Sequence, residues 1–146
     1  PMEVKNEIVI DLYGDGPFRK QLEEQVASLD LENCFNFKGS SSMLKSIYCQ
    51  YDYMLQPTYM ECFSLSIIES LAANVPVITT NVGGNEEAII NNVNGYIFKA
   101  KDVIALAKIL EEVYFGVKKI ELDTRLDIEK RFSLERMVDN HLELLF

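Results

Sequence analysis

The chain has 146 residues, 48% of them hydrophobic and 25% charged, which suits one globular domain with a real core and excludes a disordered chain. Its net charge of -9, from 23 acidic against 14 basic residues, repels phosphate backbones and argues against nucleic acid or anionic lipid as a partner. No apolar run approaches the roughly 20 residues of a membrane span. No secretory signal is visible, and Cys34, Cys49 and Cys62 lack CxxC spacing, so they read as reduced, partly buried thiols of a cytoplasmic protein, with no zinc site.

In chain order, strands alternate with helices. Residues 7–12 (Glu7 to Leu12) form a first strand running into Tyr13-Gly14-Asp15-Gly16-Pro17. A helix follows from Pro17 to about Leu29, its proline in the first turn. Phe35-Asn36-Phe37 is a short strand ending at Gly39, and Ser40-Ser41-Ser42 caps a helix from Met43 to about Gln50. The apolar run Tyr53-Met54-Leu55-Gln56-Pro57 reads as a buried parallel strand stopped by its proline. The stretch after Glu61 reads as a buried helix with Ser64 or Ser66 able to cap it.

Pro76-Val77-Ile78-Thr79-Thr80 is another buried strand, and Asn81-Val82-Gly83-Gly84 turns the chain into a helix near Glu86 to Ile90. The turn at 91–95 precedes a last strand, Tyr96-Ile97-Phe98. Asp102 opens a helix to about Phe115, and after a break near Gly116 residues 120–146 are helical with another break near Ser133. The alternation predicts one α/β domain over 1–146, a Rossmann-like parallel sheet flanked by helices.

Strand carboxyl ends share one edge of such a sheet, and the following helices point positive dipoles there. Three loops carry suitable chemistry for that edge. Gly14-Asp15-Gly16 admits close approach of a ligand, residues 61–64 present free amides at a helix start, and Gly83-Gly84 is expected to do the same. Together they suggest a phosphate-bearing ligand with hydroxyls for Glu61 and Glu69 to accept. Glu69 is the only charge of its helix and needs a cation, donors or a ligand. Spacing alone leaves it equally open to a structural role, and a GDG turn without a third glycine is no dinucleotide fingerprint.

The order of these motifs resembles the carboxyl-terminal, donor-binding domain of the group 1 family of retaining, nucleotide-sugar-dependent glycosyltransferases with the two-domain GT-B fold. The resemblance rests on Tyr13-Gly14-Asp15-Gly16-Pro17, Phe37-Lys38-Gly39, Glu61 with Glu69 after Gln56-Pro57-Thr58, Asn81-Val82-Gly83-Gly84 with Glu87, and Asn94-Gly95-Tyr96. The ending Arg131-Phe132-Ser133-Leu134-Glu135-Arg136 looks like that family's closing helix.

The resemblance implies that Glu61 contacts the transferred sugar and that Glu69 accepts from the ribose hydroxyls. It implies that the amides of Cys62, Phe63, Ser64 and Leu65 hold sugar hydroxyls and the donor's phosphate. The base would rest near Lys38 and Gly39. No metal or other cofactor is implied. The parent protein would be a transferase of polysaccharide biosynthesis, cytoplasmic and working at the inner membrane face, moving a hexose to a glycan or lipid-linked acceptor.

Cys62 and Ser64 stand where the family has glycines, which would narrow the donor pocket or shift its sugar preference. The family's first strand-helix unit, with its basic residue and lysine, is missing before Glu7, as is an amino-terminal acceptor domain. Pro1-Met2 suits a fragment. The strands at Ile8 and Met54 should then face a gap, closed by direct pairing or by another copy through open sheet edges. The rival readings are a GT-B nucleotide-sugar epimerase, disfavoured by the lack of a nearby histidine, and an inactive nucleotide-binding module.

Overall fold

The computed structural model describes residues 7–145; Pro1, Met2 and Phe146, which enter the sequence reading, lie outside it. The chain divides into two compact units, residues 1–44 and 45–146. The strands form two parallel sheets, one of two strands and one of three, which divide between the strands where the sequence placed a gap. Among the described residues the first strand pairs only with the second, so the direct pairing anticipated across the gap is not made.

In the first unit, β1 (Ile10–Tyr13) is followed by α1 (Arg19–Ser28) and β2 (Phe35–Gly39). β1 begins three residues later than the sequence suggests because Ile10 is the first residue opposite β2, at Phe35. The ladder shifts between Leu12 and Tyr13, and the Gly14 amide donates to the Gly39 carbonyl at 2.9 Å. No residue of α1 is buried; its surface carries the Arg19–Glu23 and Lys20–Glu24 pairs.

The next helix, expected to reach Gln50, is only α2 (Leu44–Ile47), continued by a 3-10 turn over Tyr48–Gln50. In the second unit follow β3 (Met54–Gln56), α3 (Leu65–Ala72), β4 (Val77–Thr80), α4 (Asn85–Ala88), β5 (Gly95–Phe98), α5 (Val103–Tyr114), α6 (Thr124–Phe132) and α7 (Leu134–Leu145). Sheet order is β3-β4-β5, with Met54 opposite Val77 and Ile78 opposite Tyr96.

Strand alternation sorts the core onto two faces. Val77 packs with Ile67 and Leu71 of α3, Ala88, Ile89 and Ile128 of α6. Ile78, Tyr96 and Phe98 pack on the other face with Ile109 of α5. Both faces of this sheet are thus covered, which is what continuous apolar strands require. No described helix is long and apolar enough to cross a membrane.

Polar side chains finish the elements. Asp102 caps α5 by accepting from the Ala105 amide at 2.9 Å, and Asp123 caps α6. Thr124 is fully buried and donates from its hydroxyl to the Leu71 carbonyl at 2.8 Å, which ties α6 to the end of α3. Cys34 is buried as expected, whereas Cys49 and Cys62 are exposed, because both sit in surface turns.

Candidate functional site

The carboxyl end of the three-stranded sheet carries the loops after β3 and β4, and these two lie against each other. The Gly84 amide donates to the Cys62 carbonyl at 2.7 Å. A methyl group on Gly83 would sit 1.7 Å from the Glu61 carbonyl oxygen, and one on Gly84 would sit 2.8 Å from the Cys62 carbonyl oxygen. Gly83 also has φ +53, a left-handed conformation that favours glycine. The two glycines therefore permit close loop packing. The expectation that they offer free amides to an anion fails at Gly84, whose donor is spent on Cys62.

Ser64, not Ser66, caps α3: its Oγ accepts from the Ile67 amide at 3.4 Å. The amides of Phe63, Ser64 and Leu65 donate to no group among the described residues. Unsatisfied donors at the positive end of an eight-residue helix suit an anion or a row of hydroxyls. The Cys62 amide is used locally, donating to Glu61 Oε1 at 3.0 Å.

Glu61 is half-buried in the loop, and its second oxygen, Oε2, accepts from Gln56 Nε2 at 3.4 Å. Each carboxylate oxygen thus has one protein donor, and each keeps capacity to accept another hydrogen bond. Phe63 packs at a tilt against Phe132 of α6 with ring centroids 5.7 Å apart, so the closing helix holds the loop from behind. On the same helix Arg131 meets Asp127 at 2.9 Å and donates to the carbonyls of Ala88 and Glu87. The buried Asn94 completes this clamp, donating to Asp127 at 2.9 Å and to the Ala88 carbonyl at 3.0 Å.

Glu69 lies further along α3 and is about one-third exposed rather than buried, at 32%. It meets a cation, one of the three kinds of partner the sequence left open: Lys45 Nζ lies 3.3 Å from its Oε1, on a side chain that is itself 80% exposed. A pair this open contributes roughly 0–1 kcal/mol, so stability alone does not explain the carboxylate. Nearby, burial raises the Tyr48 phenol above its ordinary pKa, opposed by a hydrogen bond from Ser66 and reinforced by the charge of Glu69.

The other sequence candidates belong to the first unit. Gly14 has φ +129 and Gly39 φ +71, so both need glycine for backbone reasons. Gly16 does not: its φ is ordinary and a methyl group there would meet nothing within 4 Å. Lys38 pairs with Asp11 at 3.3 Å, and Asp11 also accepts from Asn36 at 2.8 Å. An open cleft of about 200 Å³ in this unit is lined by Tyr13, Gly14, Gly16, Arg19, Leu22 and Phe37, among others.

Sequence reasoning missed Gln56 as a site residue; its signal was a lone polar residue ending an apolar strand. It gave no role to Asp127, whose partners lie 33 residues away and four residues on. Among the described residues no group of three or more histidine, cysteine, aspartate or glutamate side chains could hold a metal ion.

The family model described as glycosyl transferases group 1 matches residues 2–125. Protein CapJ of Staphylococcus aureus is 31% identical over 129 residues, 86% of this chain and 32% of that protein. The GtfA subunit of a UDP-N-acetylglucosamine--peptide N-acetylglucosaminyltransferase of Streptococcus agalactiae is 34% identical over 92 residues, 62% of this chain and 18% of that protein. The chain thus spans a third or less of the length of these relatives. The crystal structure of Anabaena Alr3699/HepE in complex with UDP aligns with a TM-score of 0.85 at 24% identity, covering 95% of this chain and 41% of that one. That likeness carries the fold, and the match over residues 2–125 carries the family: the chain belongs to the group 1 glycosyl transferases.

Proposed function

We propose that this chain is the donor-binding part of a retaining glycosyltransferase, one that moves a hexose from a nucleotide diphosphate sugar to a glycan or lipid-linked acceptor. One observation carries the reading: two carboxylates, Glu61 and Glu69, flank a helix start whose Phe63, Ser64 and Leu65 amides have no partner among the described residues. Hydroxyls and phosphate oxygens are the complementary ligand groups, because carboxylates accept and amides donate.

In this reading Glu61 accepts from the transferred sugar, and the helix-start amides hold sugar hydroxyls and a phosphate. Glu69 accepts from the ribose, exchanging its exposed Lys45 partner for two hydroxyls. Departure of the diphosphate is then eased by fixed donors aimed at the charge that develops on it. In the first unit, Gly14, Gly16, Lys38 and Gly39 are candidate contacts to be tested one by one. The name of the Streptococcus agalactiae relative specifies a uridine nucleotide sugar, which makes UDP the first base to try. Acceptor binding is assigned to other parts of the full protein, so this chain is expected to bind donor without transferring sugar.

The test is titration of the 146-residue chain with UDP, GDP, ADP, UDP-glucose and UDP-N-acetylglucosamine, followed by amide NMR shifts. Shifts at residues 63–65 and 69 that vanish in Glu69→Ala support the donor site and identify its base. No shift with any of these at millimolar concentration overturns the reading.

A further inference from the structure

Gln56, the last residue of β3, makes side-chain hydrogen bonds to two separate points of the loop that follows it. Its Oε1 accepts from the Ser64 hydroxyl at 3.0 Å, and its Nε2 donates to Glu61 Oε2 at 3.4 Å. Its backbone is fixed as well: the Gln56 carbonyl accepts from the Thr79 hydroxyl at 2.9 Å, and Thr79 Oγ1 accepts from Asn85 at 3.1 Å. Thr79 and Asn85 are fully buried, so the anchor of this side chain is the sheet itself.

The orientation of the amide follows from its neighbours. Ser64 Oγ accepts from the Ile67 amide and donates its single proton to Gln56 Oε1, and the carboxylate decides the amide's direction. Reversing the amide would set Gln56 Oε1 against a carboxylate oxygen, two acceptors face to face. Glu61 as an anion therefore selects the orientation in which Nε2 points at it. The same glutamine joins the cap of α3 to the carboxylate, so the helix start and Glu61 are held by one side chain.

We infer that Gln56 is a positioning residue: it fixes the direction of the Glu61 carboxylate relative to the α3 amides, and so sets how strongly the sugar half of the donor is held. The inference deepens the donor-site reading and rests on it. Glu61 has one oxygen tied to its own loop through the Cys62 amide and the other tied to the sheet through Gln56. Without the second tie the carboxylate swings about its side-chain torsions while the nucleotide contacts remain in place.

Two measurements on the 146-residue chain separate the possibilities. In the free protein, the Gln56 side-chain amide resonances, assigned by their loss in Gln56→Met, are expected to move in Glu61→Ala and in Ser64→Ala. Resonances indifferent to both substitutions overturn the inference without reference to any ligand. In the second measurement, the affinity for UDP is compared with that for UDP-glucose and UDP-N-acetylglucosamine. Gln56→Met keeps the length of the side chain and removes both hydrogen bonds; Gln56→Glu sets a second carboxylate against Glu61. Both variants are expected to bind UDP within about twofold of the parent chain while the extra affinity conferred by the sugar disappears. A side chain that merely fills space would leave that extra affinity intact in both, and this result overturns the inference. If the parent chain binds none of the three ligands, the donor-site reading has failed and the resonance experiment alone decides the role of Gln56.

Discussion

The carbonyl oxygen of Cys62 accepts from the amide of Gly84 at 2.7 Å, which joins the loop after β3 to the loop after β4. The contact is possible only because neither glycine carries a side chain. Gly83→Ala places a methyl group 1.7 Å from the Glu61 carbonyl oxygen and strains a backbone at φ +53. The loops must separate to accept it. We expect Gly83→Ala to destabilise the chain by about 2–4 kcal/mol, read as a lower denaturant midpoint. An unchanged midpoint would show that the two loops are free to part.

Gly16 makes the opposite case. Its φ is ordinary, and nothing in the chain approaches the position a methyl group would take. Gly16→Ala should therefore change stability by less than about 0.5 kcal/mol. If Gly16 is a donor contact, the methyl group intrudes on the ligand alone, and binding of UDP or its sugar conjugates weakens by about tenfold, some 1.4 kcal/mol. Paired titration and unfolding of this variant check both halves. Equal donor affinity in the two proteins would remove Gly16 from the donor contacts.

The strands and helices of the second unit were legible because their signals are local. Val77 to Thr80 is short, β-branched and buried at every position, and Asp102 stands where a cap is needed. Glu61 and Glu69 stood out as the charges flanking an apolar run. What escaped the sequence depends on partners far along the chain. The role of Gly83-Gly84 lies in contact with Glu61 and Cys62, some twenty residues earlier, and a GG pair reads the same whether it cradles a ligand or a neighbouring loop. The break in the strand order was legible, since the sheets divide between β1 and β3, where a gap was expected; only its closing by direct pairing is absent among the described residues. Glu69 was placed too deep because an apolar helix sequence does not disclose which turn opens toward Lys45.

Phe132 supports the site from outside it. Its ring meets Phe63 at 5.7 Å and carries the Arg131 guanidinium at 5.0 Å. The ring is half-buried, so Phe132→Ala should cost about 2–3 kcal/mol, below the range for a fully buried phenylalanine. The loss should be felt at residues 61–64, where amide hydrogen exchange is expected to quicken more than in β4 or β5. Exchange that rises uniformly across the sheet would mean that Phe132 serves the core in general and not the loop.

Tyr96 supplies a pH dependence. It is only 2% exposed, lies 6.1 Å from the Tyr53 ring and has Lys118 Nζ 5.1 Å above its own ring. Burial, then the neighbouring Tyr53 hydroxyl and the charge of Glu112, push its pKa well above the ordinary value of 10.0. The folded chain therefore keeps a proton that the unfolded chain releases above pH 10. Stability associated with this group is fully present below that point and is lost as pH rises toward the folded pKa. Burial raises Tyr48 as well, so it adds to the same alkaline decline. In Tyr96→Phe the decline should be shallower by up to about 1.4 kcal/mol per pH unit. Near neutrality the variant should instead be less stable by about 1 kcal/mol, the worth of the lost hydroxyl hydrogen bond. Urea unfolding of both proteins at pH 7.5 and pH 11 checks the two signs together, and a difference that is the same at both would sink the assignment.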